Sequence, residues 1–272
     1  MSVKQVQAIV NGQTYTLTFN SNTGKYEATV TAPNKSSYSQ SGHYYGITIK
    51  ATDDAGNVTT KDATDSAIGS SLRLTVKEKA APVITVTNPT ASATLVNNKP
   101  TITWTVTDDD SGVNPSTIGI TIDSGSKITD GITKTAVTGG YNCSYIPATA
   151  LTDGSHTIRF DASDYDGNAA SQKSVTFKID TVPPTLSVTS PSDGYVTNKS
   201  TITVSGTTND ATSSPVTVMI NGTPVTVGSN GAFSTTVTLS AGTNTINIVA
   251  KDSAGKTTTI TRTVKYDPNP PK

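Results

Sequence analysis

Thr101-Ile102-Thr103-Trp104-Thr105-Val106 and Ser174-Val175-Thr176-Phe177-Lys178-Ile179 alternate polar and apolar side chains with a period of two. Only an extended strand places every second side chain on one face, so each stretch predicts a strand with one buried and one solvated face. Shorter runs of the same kind recur along the chain. They are punctuated by Gly, Asn, Asp and Pro about every 8–12 residues, the spacing of a β-sandwich. No element of helical length and period appears. The composition agrees, with 33% hydrophobic and 15% charged residues among 272, and with Thr, Ser, Val and Gly dominant. Thr and Val are β-branched, lose rotamer freedom in a helix and pack well on a pleated surface. Regular apolar alternation also sets the chain apart from disordered sequences.

The strands belong to a repeat. Pro82-Val-Ile-Thr-Val-Thr-Asn-Pro89 matches Pro184-Thr-Leu-Ser-Val-Thr-Ser-Pro191, and Asn98–Thr103 matches Asn198–Thr203 at an offset of 100. A third signature closes all three units: Ala51-Thr-Asp53-Asp-Ala-Gly56-Asn57, Ala162-Ser-Asp164-Tyr-Asp166-Gly167-Asn168 and Ala250-Lys-Asp252-Ser-Ala-Gly255-Lys256. A period of roughly 100 residues is a whole domain rather than a solenoid repeat. The signature lies between two strands, where Asp accepts backbone N–H groups and Gly supplies a positive φ, and so reads as a hairpin turn.

These repeats divide the chain into 1–79, 80–181 and 182–267, followed by a Pro-rich end at 268–272. The first unit aligns Val10-Asn11-Gly12 with Ile220-Asn221-Gly222 and Thr23-Gly24-Lys25-Tyr26 with Asn230-Gly231-Ala232-Phe233. It therefore lacks the opening strands of the third unit. Either the chain is cut within a domain, or this domain is smaller, or a partner completes its sheet, since an open edge is a template for another strand. The linkers Lys77–Pro82 and Asp180–Pro184 are short and contain proline, which restricts its own φ and the residue before it. Stiff joints predict an extended rod.

The chain resembles the bacterial immunoglobulin-like domains strung along adhesins, extracellular enzymes and phage tail proteins. The likeness rests on the Pro-x₆-Pro openings, the acidic loop Thr107–Val113, Asp153-Gly154-Ser155-His156-Thr157, the Asp-x-x-Gly turns and the Asp180-Thr-Val-Pro-Pro184 linker. It implies an all-β protein of three tandem immunoglobulin-like β-sandwiches. Unlike antibody domains, the chain has no cysteine pair beside its one tryptophan, Trp104. The resemblance speaks for fold and weakly for function, because this sandwich carries many unrelated roles.

Chemistry is sparse. Cys143 is the single cysteine, so no intrachain disulfide forms, and its alternating surroundings place it facing a core. His43 and His156 are the only histidines, and no Gly-x-Ser-x-Gly, His-Glu-x-x-His or phosphate-loop motif is present. The expectation is a non-catalytic protein without an organic cofactor. Lys plus Arg equal Asp plus Glu at 20 each, with no basic run, which argues against nucleic acid. No apolar stretch is long enough to span a membrane.

The candidate site is calcium. Asp108, Asp109 and Asp110 fall in the loop after the second strand of the middle unit, and Asp164, Asp166 and Asn168 in its last hairpin. In such a sandwich those loops emerge at one end, beside the incoming linker and Glu78. Carboxylates converging there repel unless a hard cation joins them, and Ca²⁺ accepts 6–8 oxygen ligands. A cell-surface glycan would need an aromatic platform, for which Tyr44, Tyr45, Tyr141, Tyr145 and Tyr165 are available without forming an evident cluster.

The sequence opens at Met1 with no export signal, while the family it resembles mostly works outside cells. A phage or prophage component removes that conflict, because it folds in the cytosol and leaves by lysis. The first expectation is therefore a structural and adhesion protein of a phage tail or virion, docked on other proteins through its first domain. The alternative is part of a secreted adhesin, or of the accessory modules, some carbohydrate-binding, of an extracellular enzyme.

Overall fold

The computed structural model describes residues 2–269. Met1 and Pro270–Lys272, the last three residues of the Pro-rich end, lie outside the described residues. The amino-terminal segment holds β1 (Val3–Val10), β2 (Gln13–Asn20), β3 (Lys25–Glu27), β4 (Tyr45–Asp53), β5 (Val58–Lys61) and β6 (Arg73–Leu74). They form one sheet in the order β3-β2-β1-β4-β5, with β6 paired to β4. The β1–β2 hairpin turns on Asn11 and Gly12, at φ 46° and 75°, the left-handed pair that a two-residue hairpin with the native strand twist requires. Asn221 and Gly222 repeat it at φ 48° and 81°.

The middle segment supplies β7 (Val83–Asn88), β8 (Thr94–Leu95), β9 (Ile102–Thr107), β10 (Val113–Ile122), β11 (Thr133–Val137), β12 (Gly140–Tyr145), β13 (Gly154–Asp164) and β14 (Lys173–Ile179). Two four-stranded sheets result, β10-β13-β14-β8 and β11-β12-β9-β7. The quoted alternation is realised in β9, where Ile102, Trp104 and Val106 are buried between half-buried threonines. Trp104 meets the Phe160 ring edge-on at 5.3 Å. Cys143 is buried as expected, and that burial pushes its thiol up to about 11.

The carboxy-terminal segment holds β15 (Thr185–Ser190), β16 (Tyr195–Thr197), β17 (Thr201–Asn209), β18 (Thr217–Ile220), β19 (Thr223–Val225), β20 (Ala232–Thr238), β21 (Gly242–Lys251) and β22 (Thr257–Tyr266). Its sheets run β15-β17-β20 and β16-β22-β21-β18-β19. Val204, Val218, Ile220, Phe233, Ile246, Ile248 and Val264 form its core.

Register corrects one sequence alignment. In the middle segment Val83 pairs with Thr107 and Asn88 with Thr103; in the last, Thr185 pairs with Asn209 and Ser190 with Ser205. Every partner is shifted by 102 residues, two more than the Asn98/Asn198 match implied. Gly206 thereby occupies the place of Trp104. A Cβ on Gly206 would lie 2.1 Å from the Ser187 carbonyl oxygen and 2.6 Å from the Phe233 ring, so no larger side chain fits there as the backbone stands.

By contact density the chain divides into two compact units. One comprises Met1–Asn88, Thr103–Tyr145 and Arg159–Ser174, the other Pro89–Ile102, Ile146–Ile158 and Val175–Lys272. Truncating a fully buried aromatic leaves a cavity that a close-packed core fills only in part. Phe160→Ala should therefore cost about 3–5 kcal/mol, measured by urea unfolding followed through the fluorescence of Trp104, which Phe160 touches.

Candidate functional site

Within the first unit, the closing hairpin of the middle segment fixes Asp164 by its own backbone. Asp164 N–H donates to the Asn168 carbonyl (3.1 Å), and Asn168 N–H donates back to Asp164 Oδ1 (2.8 Å). Gly167 stands at φ 94°, as the turn reading required. The Asn168 side-chain amide then donates to Asp164 Oδ2 (2.7 Å) and to the carbonyl of Glu78 in the linker (3.3 Å). From the acidic loop, Asp108 Oδ1 accepts from the N–H groups of Asp110 (3.1 Å) and Gly112 (2.8 Å). Glu78 Oε1 accepts from Ser111 N–H at 2.6 Å.

These bonds bring one carboxylate oxygen each of Glu78, Asp108 and Asp164 within 4.8 Å of one another. Asp108 and Asp164 are buried and Glu78 is half-buried. Glu78 Oε2 and Ser111 Oγ are buried with no hydrogen-bond partner. Burial raises the pKa of Glu78 above its ordinary value; the Ser111 bond opposes this, and the charges of Asp108 and Asp110 add to it.

Asp108 and Asp164 converge, joined by Glu78. The carboxylates of Asp109, Asp110 and Asp166 fall outside the trio, and Asn168 serves it through its amide. Asp109 is exposed, and its backbone carbonyl accepts from Lys35 Nζ (3.4 Å). Asp110 Oδ1 accepts from Ser36 N–H (2.9 Å), and Asp166 Oδ2 from Glu78 N–H (3.0 Å). The Asp110 carboxylate fastens Ser36 to the acidic loop and the Asp166 carboxylate fastens Glu78 to the hairpin, because a carboxylate next to a free backbone N–H is drawn to it. Tyr38 stacks on Tyr165 at 4.2 Å and on His43 at 4.2 Å beside them.

The remaining sequence candidates separate. His156 is buried, with Nε2 at 2.7 Å from the Thr152 carbonyl. Tyr45 is buried and donates to the Lys35 carbonyl, Tyr44 lies under Arg73, and of the five named tyrosines only Tyr165 is exposed. They do not make a common platform.

Residues 87–181 match the family model of the bacterial Ig-like domain, and residues 184–267 that of domain B of glucodextranase. The chain is a tandem array of immunoglobulin-like domains. Bacillopeptidase F of Bacillus subtilis (strain 168) is 32% identical over 129 residues, 47% of this array. The match spans 8% of that protein's length. Among solved structures, the array resembles the fibronectin(III)-like modules of Clostridium thermocellum CbhA. Identity there is 16%, coverage 68% of this chain and 94% of that one, and the TM-score 0.38. It also resembles a three-immunoglobulin fragment of titin at 11% identity, 97% and 88% coverage and a TM-score of 0.48.

The Glu78 shift has a definite sign. A carboxyl whose folded pKa is raised contributes stability below its unfolded value, 4.5, which is lost as pH rises through the folded value. In EDTA, Glu78→Gln should therefore gain Tm relative to the unsubstituted array between about pH 4 and about pH 7. Ca²⁺ held by this trio would reverse the order in millimolar Ca²⁺, because the substitution would then remove a charged ligand. Calorimetric melting of both proteins under both conditions checks it.

Proposed function

We propose that this array is a non-catalytic accessory part of an extracellular or surface protein of bacteria, in which it spaces or presents other domains. The observation that carries the reading is that two different module families account for residues 87–267, and one of them is named as a domain of a glucodextranase. The matches to Bacillopeptidase F and CbhA point the same way, since both concern portions of larger proteins. This favours the accessory-module alternative over the virion expectation. The latter drew on Met1 and the missing export signal, and a chain matching 8% of its relative gives that start no weight.

In this reading the polar groups of the array work as fasteners. Glu78 sits in the linker, Asp108 in the loop after β9 and Asp164 in the hairpin after β13, and a divalent cation held by the three ties linker to sandwich. Ca²⁺ fits the all-oxygen donor set, and the unpartnered Glu78 Oε2 and Ser111 Oγ leave lone pairs for it. The cation supplies cross-linking charge there.

Antibodies raised against the array should detect it in the exported or cell-surface fraction of the source bacterium, in a polypeptide whose catalytic or adhesive activity survives deletion of residues 80–267. Recovery in phage particles, with none in the exported fraction, would overturn the reading.

A further inference from the structure

The second unit contains another trio. One carboxylate oxygen each of Asp180, Asp210 and Asp252 lie within 4.8 Å of one another, and the three residues are only 1%, 8% and 4% exposed. Asp180 comes from the linker after β14, Asp210 from the loop after β17 and Asp252 from the hairpin between β21 and β22. These are the origins of Glu78, Asp108 and Asp164, carried one domain onward. Residue 78 maps to 180, 108 to 210 and 111 to 213, each shifted by the 102 residues that the strand register dictates.

The internal bonding repeats as well. Asp252 N–H donates to the Lys256 carbonyl (3.1 Å), and Lys256 N–H donates to Asp252 Oδ1 (2.8 Å). Asp210 Oδ1 accepts from the N–H groups of Thr212 (2.8 Å) and Ser213 (2.6 Å), and Asp180 Oδ1 accepts from Val182 N–H (3.2 Å). Each carboxylate thus spends one oxygen on the backbone. Asp180 Oδ2, Asp252 Oδ2 and Ser213 Oγ remain buried with no hydrogen-bond partner. Six buried side-chain polar atoms among the described residues lack a partner, and five belong to the two trios or their serines. Buried polar atoms are otherwise paired almost without exception, so this concentration marks a missing ligand rather than scattered packing faults.

The sign of that ligand follows. Among the described residues no lysine or arginine makes an ion pair with Asp180, Asp210 or Asp252, so none neutralises the trio. Uncompensated carboxylates out of water are too costly to leave alone. A neutral donor such as water satisfies lone pairs without removing the charge; a hard divalent cation does both.

We propose that Asp180, Asp210 and Asp252 form a divalent-cation site of the Ca²⁺ class. It lies in residues outside the Glu78 trio and does not depend on the accessory role proposed above. The cation joins the linker that enters the last sandwich to two of its loops, so the device recurs at successive joints.

Isothermal titration of Ca²⁺ into the full chain after dialysis against EDTA tests it. The unsubstituted protein should bind two ions. Asp252→Asn and Asp180→Asn should each bind one, Asp164→Asn should also bind one, and Asp164→Asn with Asp252→Asn should bind none. Asn keeps an acceptor oxygen for the hairpin N–H, and circular dichroism with Trp104 fluorescence confirms folding of each variant. Two ions retained by both Asp252→Asn and Asp180→Asn would overturn the proposal, as would a single ion lost only with Asp164→Asn. No binding by the unsubstituted chain would overturn both sites. Loss of the Asp164 ion alone would leave this site standing.

Discussion

Three carboxylates held within 4.8 Å, with only Glu78 of the six residues partly exposed and none with a basic partner among the described residues, are the constraint that both linkers share. Hydrophobic alternation folds each sandwich on its own, but it says nothing about how a linker meets the next domain. At both linkers, acids drawn from three distant points of the chain meet. The five aspartates each accept a backbone N–H from their own loop and Glu78 accepts one from Ser111, which limits the rotamers open to all six. Preorganisation of this kind lowers the entropy cost of closing a joint.

The amino-terminal segment supplies a control within the same chain. Asp53 sits in the same hairpin: Asn57 N–H donates to its Oδ1 (2.8 Å) and the Asn57 amide to its Oδ2 (2.9 Å). Those bonds hold its carboxyl below the usual range. No acidic trio forms around it among the described residues. Among the described residues β1 is the first strand, and no loop acid is grouped with Asp53. The hairpin alone makes a turn; the site needs the loop after the second strand and the linker before the first.

The fold was legible because its signals are local. Period-two alternation in β9 and β14, Asn-Gly at the hairpins and Gly after Asp each follow from a few adjacent residues. The first site was half legible. Asp108, Asp164 and Glu78 were in view because loop ends of a sandwich are known to gather. Which of five neighbouring acids turn inward depends on backbone N–H positions that no spacing reveals, and the structure groups Asp108 and Asp164, without Asp109, Asp110 and Asp166, around Glu78. The second site was hidden by the alignment. At an offset of 100, Asp108 falls opposite Thr208, and Asp210 looks like an ordinary loop residue. Strand register at an offset of 102, the offset of the Pro82/Pro184 match, makes the two trios coincide, and hydrogen-bond pairing decides it over the offset of 100.

One substitution between the trios shows how the same device is tuned. Asn168 spans the first, its amide bonding both Asp164 Oδ2 and the Glu78 carbonyl, so linker and hairpin are joined by protein atoms before any ion arrives. Lys256 takes that position in the second, contributing its backbone but no ion pair to the carboxylates. Asp252 Oδ2 is consequently left without the partner that Asp164 Oδ2 has. The shorter Asp180 also replaces Glu78 and is more deeply buried. Fewer protein bonds and more buried charge both increase the share of the second joint's cohesion that a cation must supply. The first joint is a protein clasp; the second has fewer bonds of its own, and the proposed cation would hold it chiefly.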